Sequence, residues 1–179
     1  MRVLAISGSL SLLSSNAALL RAASKVVPAG TDILLYDGLS GLPHFTPDLD
    51  VDPLPPPVAA LRAQIGAADA LAICSPEYAH GMPGSLKNGL DWLVSALEPI
   101  GKPILLISAS PSGAAFAHAH LLEVLRTMMG QHLVDGGAHV FSRNKLDADG
   151  SVNFPPLLAA LESGFARLAA EVAAAAASR

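Results

Sequence analysis

The chain has 179 residues, is 51% hydrophobic, and carries 11 basic against 15 acidic side chains for a formal net charge of −4. That length and apolar content suit one compact domain spanning residues 1–179, with most elements buried on both sides. The mild acidity leaves no stripe of positive charge, which argues against nucleic acid or an anionic membrane as a partner.

The elements follow from hydrophobic period. Short apolar runs at Val3–Ile6, Ile33–Tyr36, Ala70–Cys74, Ile104–Ser108 and about Ala138–Phe141 read as strands. Helical patterns alternate with them at about Asn16–Val26, Val58–Ala67, Gly84–Leu97, Ala114–Met129 and Pro156–Ala176. Five strand–helix units in this order imply an α/β fold with a doubly wound parallel sheet. The segment Gly38–Pro57, rich in Pro and Asp, has no periodicity and reads as a long functional or mobile connection. Within the third helix, Leu86, Leu90, Leu93, Val94 and Leu97 form one stripe assigned to the core.

The lone Cys74 cannot form an internal disulfide, and the apolar run before Gly8 is too short for a signal peptide. A reducing, cytoplasmic setting is expected. No apolar stretch reaches the roughly 18 residues of a membrane span.

Between the first strand and first helix, Ser9, Ser11, Ser14, Ser15 and Asn16 surround a helix N-terminus. Free N–H groups and the helix dipole favour an anion there, with hydroxyl and amide side chains adding donors. With one glycine in the loop, neither G-x-G-x-x-G nor a Walker pattern is present, which points to a single terminal phosphate. The same residues read equally well as caps of the first helix. After the third strand, Ser75-Pro-Glu-Tyr-Ala-His-Gly-Met-Pro-Gly84 breaks regular structure at the carboxyl end of a buried strand, where open α/β sheets bind ligands. His80 reads either as a group facing a bound ligand or as an idle loop residue; Glu77 as an ordering partner of a basic group or as solvated. His118 and His120, two apart on a helix, point to different sides, and no C-x-x-C or H-E-x-x-H occurs, so no metal site is expected. No catalytic acid, base or nucleophile stands out, and G-x-S-x-G is absent.

These two loops resemble those of the NADPH-dependent FMN reductases of the flavodoxin-like fold, a family that includes quinone, chromate and azo-dye reductases. The first family loop, Gly-Ser-Leu-Arg-x-x-Ser-x-Asn, is matched at Gly8, Ser9, Leu10, Ser14 and Asn16, with Ser11 in place of Arg. The second, Ser-Pro-Glu-Tyr-Asn-x-x-x-Pro-Gly-x-Leu-Lys-Asn-x-x-Asp-Trp, is matched throughout from Ser75 to Trp92 except at Ala79, where the family has Asn. The resemblance implies a flavodoxin-like three-layer sandwich with strand order 2-1-3-4-5, which would bring both loops to one crevice. It implies FMN as cofactor, with its phosphate at Ser9, Ser11, Ser14, Ser15 and Asn16 and its ring wrapped by Pro76, Glu77, Tyr78, Ala79, His80 and Gly81. Ser110 and Gly113 would stand beside the ring.

NADPH or NADH would be the hydride donor, a small-molecule electron acceptor the substrate, and a homodimer or homotetramer the assembly, with Trp92 as an interface anchor. Ser11 removes a charge-assisted bond, a loss of roughly ten- to a hundredfold in affinity. A flavodoxin-like electron carrier and a scaffold that has lost FMN are the competing readings. The net charge of only −4 and 4% aromatic content argue against the carrier.

Overall fold

The computed structural model describes residues 1–129 and 132–177. Strands β1 (Arg2–Ser7), β2 (Asp32–Tyr36), β3 (Ala70–Ser75), β4 (Ile104–Ser110) and β5 (Leu133–Val140) form one sheet in the order β2-β1-β3-β4-β5, all pairs parallel. Helices α1 (Ser15–Ala23), α2 (Pro56–Ala67), α3 (Gly84–Asp91), α4 (Ala115–Met129) and α5 (Pro155–Ala177) connect and cover it.

Alternation along the central strands builds two cores. Leu4, Ile6, Leu71, Ile73, Ile104 and Leu106 face α2, α3 and α4, while Val3, Ala5, Ala72, Leu105 and Ile107 face α1 and α5. A parallel strand covered on both faces needs an unbroken apolar run, and β3 and β4 are buried at every position. This is the expected three-layer flavodoxin-like sandwich, and the winding reverses between β1 and β3.

Five expectations are corrected. Strand β5 begins at Leu133, earlier than the expected Ala138, because Asp135-Gly136-Gly137 imitates a turn. It is a bulge: Leu106 pairs with Asp135 and Ser108 with Ala138, so Gly136 and Gly137 together oppose one residue of β4. A Cβ on Gly136 would lie 2.7 Å from the Leu106 carbonyl oxygen.

Helix α3 ends at Asp91, with Trp92 as its C-cap, rather than running to Leu97. The expected core stripe breaks there: Leu86, Leu90 and Leu93 are buried, but Val94 and Leu97 are 67% and 79% exposed. Trp92, expected at a subunit interface, is fully buried within its own chain. Its indole N–H donates to the Pro43 carbonyl at 2.8 Å, and its ring meets Phe45 edge-on at 5.1 Å.

The 38–57 segment is a pinned strap rather than a structureless connection. It makes two short 3-10 turns, Gly38–Gly41 and Pro47–Leu49, and buries Leu39 and Leu42. Asn88 of α3 accepts from the Phe45 N–H at 2.8 Å and donates to the Pro43 carbonyl at 3.0 Å. Arg62 of α2 ties down the far end through Asp50 at 2.8 Å and through the Trp92 carbonyl. The motif residues Asn88 and Trp92 thus fasten the strap.

Candidate functional site

The carboxyl ends of β1 and β3 lie side by side, with Ser7 in register with Cys74, and the Gly8 N–H donates to the Cys74 carbonyl at 2.8 Å. A Cβ on Gly8 would come within 3.1 Å of the Ser75 hydroxyl and of Leu86, so a side chain there would crowd both where the first loop meets the third strand. The two loops singled out by sequence therefore meet.

A cleft of about 250 Å³ opens between them. Ser9, Ser11, Leu13, Ser15 and Asn16 line it from the first loop, and Pro76 and Tyr78 from the β3 loop. Ala109 and Pro111 at the end of β4, with Ser142 and Arg143 beyond β5, complete the wall.

The first-loop residues divide by what they already bond. Ser14 is the N-cap of α1, accepting from the Ala17 N–H at 3.2 Å, and it is buried. Asn16 is buried too: its amide donates to the Ala109 carbonyl at 3.2 Å and accepts from the Cys74 thiol at 3.0 Å, joining α1 to β3 and β4. For these two the capping and packing role is real. The Ser9 hydroxyl accepts from the Ser11 N–H at 3.3 Å and keeps a proton to donate. Ser11 and Ser15 hydroxyls bond nothing among the described residues, nor do the Ser15 and Asn16 N–H groups at the start of the helix. A helix start with free N–H groups and hydroxyls lining one cleft is a donor-rich surface, suited to an anion.

In the second loop, Tyr78 and Gly81 exchange backbone hydrogen bonds of 2.9 Å each way, closing a two-residue turn around Ala79 and His80. Both central residues have positive φ, 50° and 60°. This is the type I′ geometry that favours Asn and Gly, and it gives a physical reason for Asn in the family pattern at 79. The turn consumes the N–H groups of Tyr78 and Gly81 and leaves those of Glu77, Ala79 and His80 without an acceptor among the described residues. Tyr78 is 57% exposed and faces the cleft.

The Glu77 carboxylate accepts from the Ala117 N–H at 2.9 Å, capping α4 and fixing the β3 loop to it. This is neither of the two roles expected for Glu77. The His80 imidazole stacks on Phe116 at 4.2 Å between centroids. On β4, Ser110 is buried with its hydroxyl 3.2 Å from that of Ser112, and Gly113 stands at φ 107°. The residues of this turn that line the cleft are the neighbours Ala109 and Pro111.

Sequence reasoning missed Leu13, Ala109, Pro111, Ser142 and Arg143. In a strand a one-residue offset changes the face, which is why Ala109 rather than Ser110 lines the wall. Arg143 becomes visible only once β5 is known to end at Val140, since the Phe141 N–H then donates to the Ser110 carbonyl at 2.9 Å and carries the chain to the cleft.

Two other constellations carry no reaction. Ser108, His118 and Asp135 form a chain, with 2.9 Å from Ser108 Oγ to His118 Nδ1 and 2.9 Å from Nε2 to Asp135. Ser108 is fully buried between sheet and α4, so no substrate reaches its oxygen. Partial burial of Asp135 opposes its ionisation, but bonds from His118 and the Gly137 N–H, with the nearby charge of Arg167, hold its pKa below the ordinary carboxylate value. Burial pushes the Cys74 thiol well up, leaving it protonated and inert. Among the described residues no group of three or more His, Cys, Asp or Glu is placed to hold a metal, and no helix is long and apolar enough to cross a membrane.

The profile of the NADPH-dependent FMN reductase family matches residues 1–145. An NAD(P)H-dependent FMN reductase of Pseudomonas aeruginosa is 43% identical over 128 residues, 69% of each chain. A quinone reductase of Escherichia coli is 34% identical over 131 residues, covering 70% of this chain and 69% of that protein. Among solved structures, the flavoenzyme NAD(P)H:acceptor oxidoreductase FerB of Paracoccus denitrificans superposes with a TM-score of 0.80 at 27% identity, over 95% of this chain and 98% of its own. A sheet in the order 2-1-3-4-5, two motif loops meeting at its switch point and these relatives agree: the chain belongs to the NADPH-dependent FMN reductase family of flavodoxin-like oxidoreductases.

Proposed function

We propose that the chain is an FMN-dependent NAD(P)H oxidoreductase that holds FMN in the cleft between the β1–α1 loop and the β3 turn. The hydride would pass from a nicotinamide to quinone, free flavin, azo compound or metal oxyanion acceptors. The observation that carries this is the division of the cleft: hydroxyls of Ser9, Ser11 and Ser15 with the free N–H groups of Ser15 and Asn16 come from the first loop, and Pro76, Tyr78, Ala109 and Pro111 from the β3 and β4 loops. A phosphate fits the first and a planar ring the second.

When bound, FMN supplies the two-electron redox chemistry. The protein's part is to bind, orient and exclude water, which needs no acid or base and matches the lack of any accessible catalytic set. Free N–H groups of Glu77, Ala79 and His80 would suit the acceptor edge of the ring, and Tyr78 and Pro76 would hold it against the β3 loop. Glu77 holds that turn against α4, and Ser14 and Asn16 hold the first loop. Ser110 and Gly113 shape the opposite turn from behind. A single unit over 1–179, a cytoplasmic setting and a homodimer or homotetramer belong to the same proposal. The exposed Val94, Leu97 and Ile100, whose apolar surface is costly to leave in water, favour self-association.

The test is turnover. Protein loaded with FMN should oxidise NADPH or NADH and reduce a benzoquinone, in proportion to bound flavin. Loaded protein whose flavin neither nicotinamide reduces would overturn the assignment.

A further inference from the structure

We propose that Arg143 supplies the positive charge for the cofactor phosphate that the family pattern carries at the position of Ser11. This rests on the reading of the cleft as the FMN site. The first loop has no cation of its own, since no Lys or Arg occurs between Val3 and Leu20. A dianion held by neutral donors alone would lack a counter-charge and the bidentate fork that a guanidinium offers it.

Arg143 stands on the wall of the same cleft as Ser9, Ser11 and Ser15. It does not come from the first loop but from across the sheet. Phe141 is hydrogen-bonded to the end of β4, and a short 3-10 turn, Arg143–Lys145, then fixes the backbone through Lys145 N–H to Ser142 carbonyl and Leu146 N–H to Arg143 carbonyl bonds of 3.0 Å each. Among the described residues the ion pairs are Arg62–Asp50, Lys87–Asp91, His118–Asp135 and His132–Glu171, and the Arg143 guanidinium bonds no other group. An unneutralised guanidinium beside a donor-rich loop is matched to a phosphate by charge and by its planar fork of N–H groups. Arg143 also borders the adjoining groove, which Arg21 lines, so the rival role is to hold a second anion there, such as the ribose phosphate of NADPH.

The experiment compares FMN with riboflavin, which lacks the phosphate, by flavin fluorescence on the intact protein. The set is the wild type, Arg143→Gln, Ser11→Arg and the double variant. Arg143→Gln should weaken FMN by about ten- to a hundredfold while leaving riboflavin unchanged. Ser11→Arg should restore FMN affinity in the Arg143→Gln background, and thermal unfolding should not move. Equal loss of both flavins would mean Arg143 only shapes the cleft, and would overturn the proposal. So would unchanged FMN affinity in Arg143→Gln, whether or not Ser11→Arg tightens binding. If neither the wild type nor Ser11→Arg binds any flavin, the reading of the cleft itself falls, a result distinct from the others.

Discussion

Ala79 and His80 sit in the left-handed region, where a side chain with a Cβ is strained by about 1 kcal/mol. Strain held at a cleft edge usually serves the site. Asn tolerates this conformation better than Ala, so Ala79→Asn should stabilise the fold by about 0.5–1 kcal/mol. Chemical denaturation checks this; a destabilised variant would show that the turn is not of this type. At this scale the sequence was partly readable. The pattern Gly-Ser-Leu followed by Ser and Asn located the first loop, but a seryl residue cannot announce whether its hydroxyl is spent on a cap, as at Ser14, or left free, as at Ser15. Glu77 was unreadable for a similar reason: its partner, the Ala117 N–H, is a backbone group 40 residues away.

At the scale of elements, the strap is the feature most at odds with its sequence. Prolines and aspartates look like loose chain, yet Asp50 meets the buried Arg62 of α2 and also accepts from Ser95. The Ser95 bond, then the Arg62 bond and charge, outweigh desolvation and hold the Asp50 pKa below its ordinary value. A carboxylate depressed in the fold adds stability that is complete above its unfolded pKa of about 4 and fades as pH falls through the lower folded value. Asp50→Ala should therefore cost about 1–3 kcal/mol near neutral pH, because Arg62 keeps its bonds to the Trp92 carbonyl and Ser95 but loses its counter-ion. The gap from wild type should narrow in acid below about pH 4. Urea melts at pH 7 and pH 3 check both; a gap that is small at pH 7, or constant with pH, would show the pair to be dispensable. Strand and helix order was legible because short unbroken apolar runs and a helical period of 3.6 are local signals. The ends of α3 and β5 were not, since Trp92 leaves its helix to bury itself under Phe45, and the Gly136-Gly137 bulge imitates a turn.

For the whole molecule, topology does the assembling. Each motif loop alone is ambiguous; placed at the reversal between β1 and β3, they share a wall. That juxtaposition follows from the strand order, which the alternating pattern permits but only the family resemblance specified. The contribution from beyond β5 was hidden because it depends on where an edge strand stops. The family assignment and the cleft together support the proposal that FMN would place its phosphate at the start of α1 and its ring against Pro76, Tyr78 and Ala109.

The most direct test is an FMN titration of flavin-free protein, read by fluorescence, with Ser15→Asp alongside. A carboxylate in the first turn of α1 suits the helix dipole and should leave the fold intact, while repelling a phosphate held there. Saturable binding of one FMN per chain is expected for the wild type, and at least about tenfold weaker binding for Ser15→Asp, the loss of a charge-assisted contact. Equal FMN affinity in the two proteins, or none in the wild type, would contradict the proposal.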